Sequence, residues 1–179
     1  RQLDGMGGGI SSLSKVIVVR RAADAAAEIE YIHGQVSVDQ GVVDWSANCG
    51  NLSGAVGPFA IDEGLVQAQA GEDGLAVVRL RNLNTGTLIQ ARVPVRDGRH
   101  ATVGDFPLAG VAGTGARVAL DYLRPGAGGT ATLFPTGRVV DELVLADGRR
   151  FEATLAMAAM PMVWLRASDV GVDAAARPE

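Results

Sequence analysis

Between Leu52 and Val66, apolar residues recur at helical spacing: Leu52, Ala55, Val56, Phe59, Ala60 and Val66. Intrinsic propensity opposes a helix there. In a helix interior Gly54 and Gly57 cost ~1 kcal/mol each and Pro58 ~3 kcal/mol. The pattern therefore predicts a helix that forms only when tertiary packing encloses it, its glycines letting neighbouring strands come close. A shorter helix with Pro58 as its first residue is the other solution. What encloses it must be sheet. The chain carries 24 glycines in 179 residues, which implies many turns and tight backbone approaches.

Strands are expected at 16–19, 29–38, 75–83, 87–95, 106–111, 116–123, 132–134, 139–145, 151–158 and 162–166. Asn84-Thr85-Gly86, Asp97-Gly98-Arg99 and Asp147-Gly148 supply turns. Pro125-Gly126-Ala127-Gly128-Gly129 is the best linker in the chain. The reading is an α+β chain: one central helix among many strands, then a second β unit starting near residue 128.

Composition narrows the function classes. Hydrophobic residues make up 47 % and charged residues 20 %, as in a globular chain. The net charge of −4, scattered arginines and few aromatics argue against nucleic-acid binding. The longest apolar run, 153–165, is too short for a bilayer span of ~20 residues. A single cysteine excludes an internal disulfide, and no signal-peptide pattern precedes the first strand. The expected location is the cytoplasm. The chain begins without a methionine, heading into a glycine-rich loop, and ends in a polar tail. It reads as a segment of a longer polypeptide.

Two singular residues stand out. Cys49 is the only cysteine, within Ser46-Ala47-Asn48-Cys49-Gly50-Asn51. Lys15 is the only lysine; the other basic residues are all arginine. Lysine and arginine differ most where a proton must be lost, because arginine keeps its proton in proteins. Lys15 also opens a β-branched strand directly after Ser11-Ser12-Leu13-Ser14. Partial burial favours a neutral, basic amine. If the long helix forms, Cys49 sits at its N-terminus, where the dipole favours an anion. Two readings stand side by side: a proton-transfer pair, or a structural cysteine with an unrelated surface lysine.

Other chemistry finds little support. Two histidines and one cysteine lie far apart without metal-ligand spacing, so no metal is expected. There is no Walker loop and no G-x-S-x-G elbow. The glycine-rich loop at 4–9 leads into a strand, not a helix, which argues against a dinucleotide. His33 reads as a satisfied structural histidine within a strand, and His100 as a solvated one beside a turn.

The spaced motifs resemble a known family. They are Asp4-Gly5-Met6-Gly7-Gly8, Ser11-Ser12-x-Ser14-Lys15, Gly34-Gln35-Val36-Ser37-Val38, and the stretch from Val43 to Ser53 around Asn48-Cys49-Gly50-Asn51. Ala55 to Ile61, Gly104-Asp105-Phe106 and Phe134-Pro135-Thr136-Gly137 also fit. Together they resemble the 2-methylaconitate cis-trans isomerases, whose relatives include 4-oxalomesaconate tautomerases. The Asn-Cys-Gly-Asn block is also that of the wider diaminopimelate epimerase-like superfamily.

The resemblance implies two similar domains, each a β-rich roll around a central helix, with the active site in the cleft between them. Residues 1–127 would be most of the first domain, lacking its N-terminal part, and 128–179 the beginning of the second. The catalytic roles would fall on Lys15 and Cys49, with Lys15 as base and Cys49 as partner acid. Ser11, Ser12, Asn48, Gly50 and Asn51 would bind substrate carboxylates. The implied reaction is a cofactor-independent allylic proton shift on a small unsaturated polycarboxylate. 2-Methylaconitate is favoured by Val43-Asp44-Trp45-Ser46 and Asn51-Leu52-Ser53. 4-Oxalomesaconate tautomerisation, favoured by Asn82-Leu83-Asn84-Thr85-Gly86, and aconitate isomerisation are alternatives. A non-catalytic carboxylate-binding relative, or an inactive piece, is the reading from another class. The expected partner is the polycarboxylate, with no nucleic acid and no membrane, and a homodimer is open.

Overall fold

A computed structural model describes residues 10–123, 132–158, 160–173 and 175. The glycine-rich loop at 4–9, the linker at 125–129, the 127/128 boundary and most of the polar tail lie outside the described residues. The chain divides into two compact units, Arg1–Leu123 and Arg124–Glu179.

The first unit is built on a mixed sheet. Strand β1 (Lys15–Arg21) pairs antiparallel with β2 (Ile29–Val36), which also pairs with the short β3 (Val43–Asp44). Two helices follow, α1 (Gly50–Ser53) and α2 (Val56–Asp62). Then come β4 (Leu75–Asn82), β5 (Leu88–Arg96) and β6 (Arg99–His100). The sheet runs β1-β2-β4-β5-β6, and β2 lies parallel to β4. A small hairpin joins β7 (Phe106–Pro107) to β8 (Thr114–Gly115), and β9 (Ala119–Leu123) adds to β5.

Alternation builds the core. Ala76, Val78 and Leu80 of β4 and Ile89, Ala91 and Val93 of β5 point the same way and are buried. Val77, Arg79 and Arg81 point outward. Helix α2 covers the buried face with Val56, Gly57, Ala60 and Ile61. A Cβ on Gly57 would lie 2.9 Å from Val93 Cγ2 and 3.1 Å from Ala91 Cβ. The close approach expected of the helix glycines is thus met at Gly57.

The helix is shorter than its apolar pattern, and broken. Gly54 and Ala55 keep right-handed angles, but their N–H groups bond three residues back, to Asn51 and Leu52. The break has a cause. Pro58 lacks an N–H, so it fits only within a first turn, and restarting at Val56 puts it there. The helix therefore begins two residues before Pro58, not at it. At the other end Gly64, with φ +64°, lets Leu65 N–H reach Ala60 O at 2.8 Å and Gly64 N–H reach Ile61 O at 3.0 Å. This left-handed cap turns Val66 off the helix.

Several expected strands are trimmed, 29–38 to Ile29–Val36, 116–123 to Ala119–Leu123 and 139–145 to Asp141–Val144, and two differ more. The strand expected at 106–111 stops at Pro107, because Gly110 and Gly113 adopt φ of +83° and +76°. Residues 132–134 form no strand; Gly137 N–H closes a turn onto Phe134 O at 2.9 Å around Pro135. The second unit is an antiparallel meander of β10 (Asp141–Val144), β11 (Arg150–Ala158) and β12 (Met160–Leu165). No helix among the described residues is long and apolar enough to cross a membrane.

Two outcomes follow from this packing. In an open helix Gly57→Ala would stabilise by about 1 kcal/mol. Here overpacking against Val93 reverses the sign, and urea denaturation should show a loss of about 1–2 kcal/mol. A more stable variant would mean that α2 stands further from β5. Separately, Asp24 accepts two bonds from Arg81, at 2.6 and 2.8 Å, and one from Ala26 N–H. Arg81 chiefly pulls its carboxyl down to about 2. That contribution is complete above the ordinary carboxylate value of about 4 and is lost as pH falls towards 2. Asp24→Asn should therefore flatten the acid limb of the stability curve between those values.

Candidate active site

Lys15 is placed by a pinned turn. Ile10 O accepts from the backbone N–H groups of Leu13 and Ser14 and from Ser14 Oγ. Gln35, opposite Lys15 in the register of β1 and β2, donates to Ser11 O at 2.6 Å and Ser14 O at 2.9 Å. Ser11 and Ser12 stand exposed at the tip of this turn. Lys15 itself is half-buried. It borders a cleft of about 200 Å³ whose other walls are apolar, among them Ile17, Leu52, Val56 and Phe59.

Cys49 reaches the same place from the other side of β2. Trp45 crosses β2 at Gly34, where a Cβ would come within 2.8 Å of the indole ring. His33 Nδ1 donates to Ala47 O at 2.9 Å, and Asn84 Nδ2 donates to Trp45 O at 2.7 Å. These contacts hold the loop that delivers Asn48 and Cys49. Cys49 caps α1, and its carbonyl accepts from Ser53 N at 3.0 Å and Ser53 Oγ at 2.7 Å. Its sulfur lies 3.5 Å from Lys15 Nζ, within hydrogen-bonding reach.

The long-helix dipole expected at Cys49 is absent. Helix α1 has four residues, too few to build a macrodipole, so the neighbour that matters electrostatically is Lys15. Asn48, Gly50 and Asn51 flank the sulfur in sequence; Asn48 is half-buried, and Gly50 and Asn51 are exposed. His33 is buried and its Nδ1 is satisfied by Ala47 O, but its Nε2 is buried without a partner among the described residues, so it is not the fully satisfied histidine expected. His100 is half-buried and paired, not merely solvated: Asp62 at the end of α2 takes its Nδ1 at 2.7 Å and its backbone N–H at 3.0 Å.

Beneath Cys49 lies a polar cluster that motif reading missed. Asn48 Oδ1 is 3.2 Å from Tyr31 OH, 3.1 Å from Ser53 Oγ and 3.2 Å from Asn82 Nδ2. Tyr31 OH and Ser53 Oγ are 2.7 Å apart. Burial pushes the Tyr31 phenol up to about 12, so it keeps its proton and stays a donor. Tyr122 OH is also buried, 3.5 Å from where a Cβ on Gly50 would stand, and burial raises its pKa too. One clue was available. Asn82 continues the inward phase of Ala76, Val78 and Leu80, and a buried amide in that phase needs partners.

The arrangement offers a proton carrier pair, a thiol and an amine, beside exposed hydroxyl and amide donors. Among the described residues no group of three or more His, Cys, Asp and Glu could hold a metal.

A family model described as PrpF protein matches residues 1–179. The chain belongs to the PrpF family. It is 42 % identical over 175 residues to a 2-methyl-aconitate isomerase of Shewanella oneidensis, covering 96 % of the chain and 44 % of that protein. It is 37 % identical over 172 residues to a 4-oxalomesaconate tautomerase of Pseudomonas putida, covering 96 % and 45 %. Among solved structures, methylitaconate-delta-isomerase superposes with a TM-score of 0.76 at 36 % identity, covering 95 % of the chain and 43 % of its own. The PrpF chain therefore has the α+β fold expected of it. It spans about half the length of the curated relatives it matches.

Proposed function

We propose that the PrpF protein containing this chain is a cofactor-independent isomerase of a small unsaturated polycarboxylate, acting on 2-methylaconitate. The observation that carries the reading is the 3.5 Å contact between the only lysine and the only cysteine, from elements far apart in sequence. Carboxylate-binding groups on the exposed Ser11, Ser12, Gly50 and Asn51 and on the half-buried Asn48 complete the proposed site.

The chemistry follows from these groups. Lys15, as the neutral amine, takes a proton allylic to the double bond and next to a carboxylate. The C–H electron pair enters a dienolate, and the original double bond loses its fixed geometry. Hydroxyl and amide donors stabilise the charge that develops on the carboxylate oxygens. Cys49 returns a proton to carbon, and the double bond re-forms in the other geometry. Lys15 and Cys49 stand close enough to exchange a proton directly, which resets the pair.

Tautomerisation of 4-oxalomesaconate would use the same pair. The tautomerase-like segment Asn82 to Gly86 favours it as the second reading, since Asn82 touches Asn48. Isomerisation of aconitate itself is a third substrate choice for this chemistry. A carboxylate binder without catalysis would need neither the lysine nor the thiol.

Deuterium exchange tests the proposal. The full-length protein, incubated with 2-methylaconitate in deuterated water, should place deuterium on substrate carbon. Lys15→Ala and Cys49→Ser should each slow that exchange by roughly 10²–10⁴-fold, the span of general acid–base catalysis. Unchanged exchange in both variants would mean that other groups carry the proton and would overturn the pair, whereas a wild type that places no deuterium on substrate would leave only the binding reading.

A further inference from the structure

Asn48 is half-buried, and its two edges have opposite chemistry: the carbonyl only accepts and the NH2 only donates. A site for carboxylates needs the NH2 outward. Which edge faces out is settled by donors whose identity is unambiguous. Thr85 backbone N–H, which can only donate, gives to Asn82 Oδ1 at 3.0 Å; the Thr85 hydroxyl, which adapts, lies 2.9 Å from the same oxygen. The NH2 of Asn82 must therefore point the other way. There it donates to Asn84 Oδ1 at 2.8 Å and to Asn48 Oδ1 at 3.2 Å.

Asn84 is oriented independently. Its Oδ1 accepts from His33 backbone N–H at 2.9 Å, while its NH2 donates to His33 O at 2.8 Å and Trp45 O at 2.7 Å. It can receive from Asn82 only as an acceptor. The Ser53 hydroxyl gives its proton to Cys49 O at 2.7 Å, and the Tyr31 hydroxyl, which adapts to either edge, is left to turn towards Asn48 Oδ1 at 3.2 Å. Asn82 is 0 % exposed, as is Ser53, so water does not substitute for any partner. Among the described residues the NH2 of Asn48 makes no hydrogen bond, and its one polar neighbour on that side is the Tyr122 hydroxyl, itself without a partner.

We infer that Asn82 is a positioning residue, a buried polarity relay from the backbone of the turn after β4 that forces the donor edge of Asn48 outward beside Cys49. The inference rests on the carboxylate-binding reading for what Asn48 meets, but its orientation claim does not. Replacing Asn82 by aspartate keeps the bonds from Thr85. It also removes the donor facing Asn48 and presents a second acceptor. Asn48 then satisfies the new carboxylate only by rotating its NH2 inward, which turns its carbonyl towards the substrate.

Side-chain amide NMR of the full-length protein, with tricarballylate as a saturated tricarboxylate probe, tests this. In the wild type, Asn82 and Asn84 NH2 protons should exchange with water at least 100-fold more slowly than those of Asn48. In Asn82→Asp, the Asn48 NH2 should become protected and tricarballylate binding should weaken at least tenfold. A protected Asn48 NH2 in the wild type, or Asn48 exchange unaltered by Asn82→Asp, would overturn the relay. If that variant does not fold, the wild-type exchange pattern decides alone. A wild type that ignores tricarballylate contradicts the carboxylate reading and leaves the amide signals to judge the orientation.

Discussion

With only a hydrogen for a side chain, Gly57 lets α2 settle on β5, where a Cβ would already meet Val93 at 2.9 Å. Everything at the candidate site hangs from that approach. Val56, Ala60 and Ile61 then reach the face formed by Ala76, Val78, Leu80, Ile89, Ala91 and Val93. Pro58 needs a place in a first turn, which separates α1 from α2. The short α1 leaves Cys49 at its cap, facing the start of β1. A helix seated further out would carry the sulfur away from Lys15.

The polar side of the site is held as firmly as the apolar side. Donors from β2 and β4 converge on Asn48 Oδ1, and Ser53 of α1 holds the carbonyl of Cys49. Gln35 pins the serine turn from its place opposite Lys15. Groups that would meet a substrate are therefore few and at least half open, while Tyr31, Ser53 and Asn82 beneath them are buried. Pre-aimed donors need little rearrangement when charge develops on a substrate, which is the physical basis of electrostatic catalysis.

Much of this was legible in the sequence. Period-two alternation placed β4 and β5 within a residue or two, because each buries one face. Lys15 and Cys49 were conspicuous by being single, and their neighbours carried the family resemblance. The helix break was legible in Pro58, but not its position: a proline fits anywhere in a first turn, and the second helix starts at Val56, two residues before it. The pairing of His100 with Asp62 joins residues 38 apart, and nothing local announces it. The asparagine relay was half legible. The phase of Asn82 marked it as inward, but its partners come from a turn, a loop and another strand, which only the fold brings together.

The central claim is that Lys15 and Cys49 act as one unit, and a double-mutant cycle on turnover tests it most directly. Groups that work together lose their joint contribution when either is removed. The double variant Lys15→Ala/Cys49→Ser should therefore be about as slow as the slower single variant. A double variant whose loss equals the product of the two single losses would show two independent residues and contradict the account.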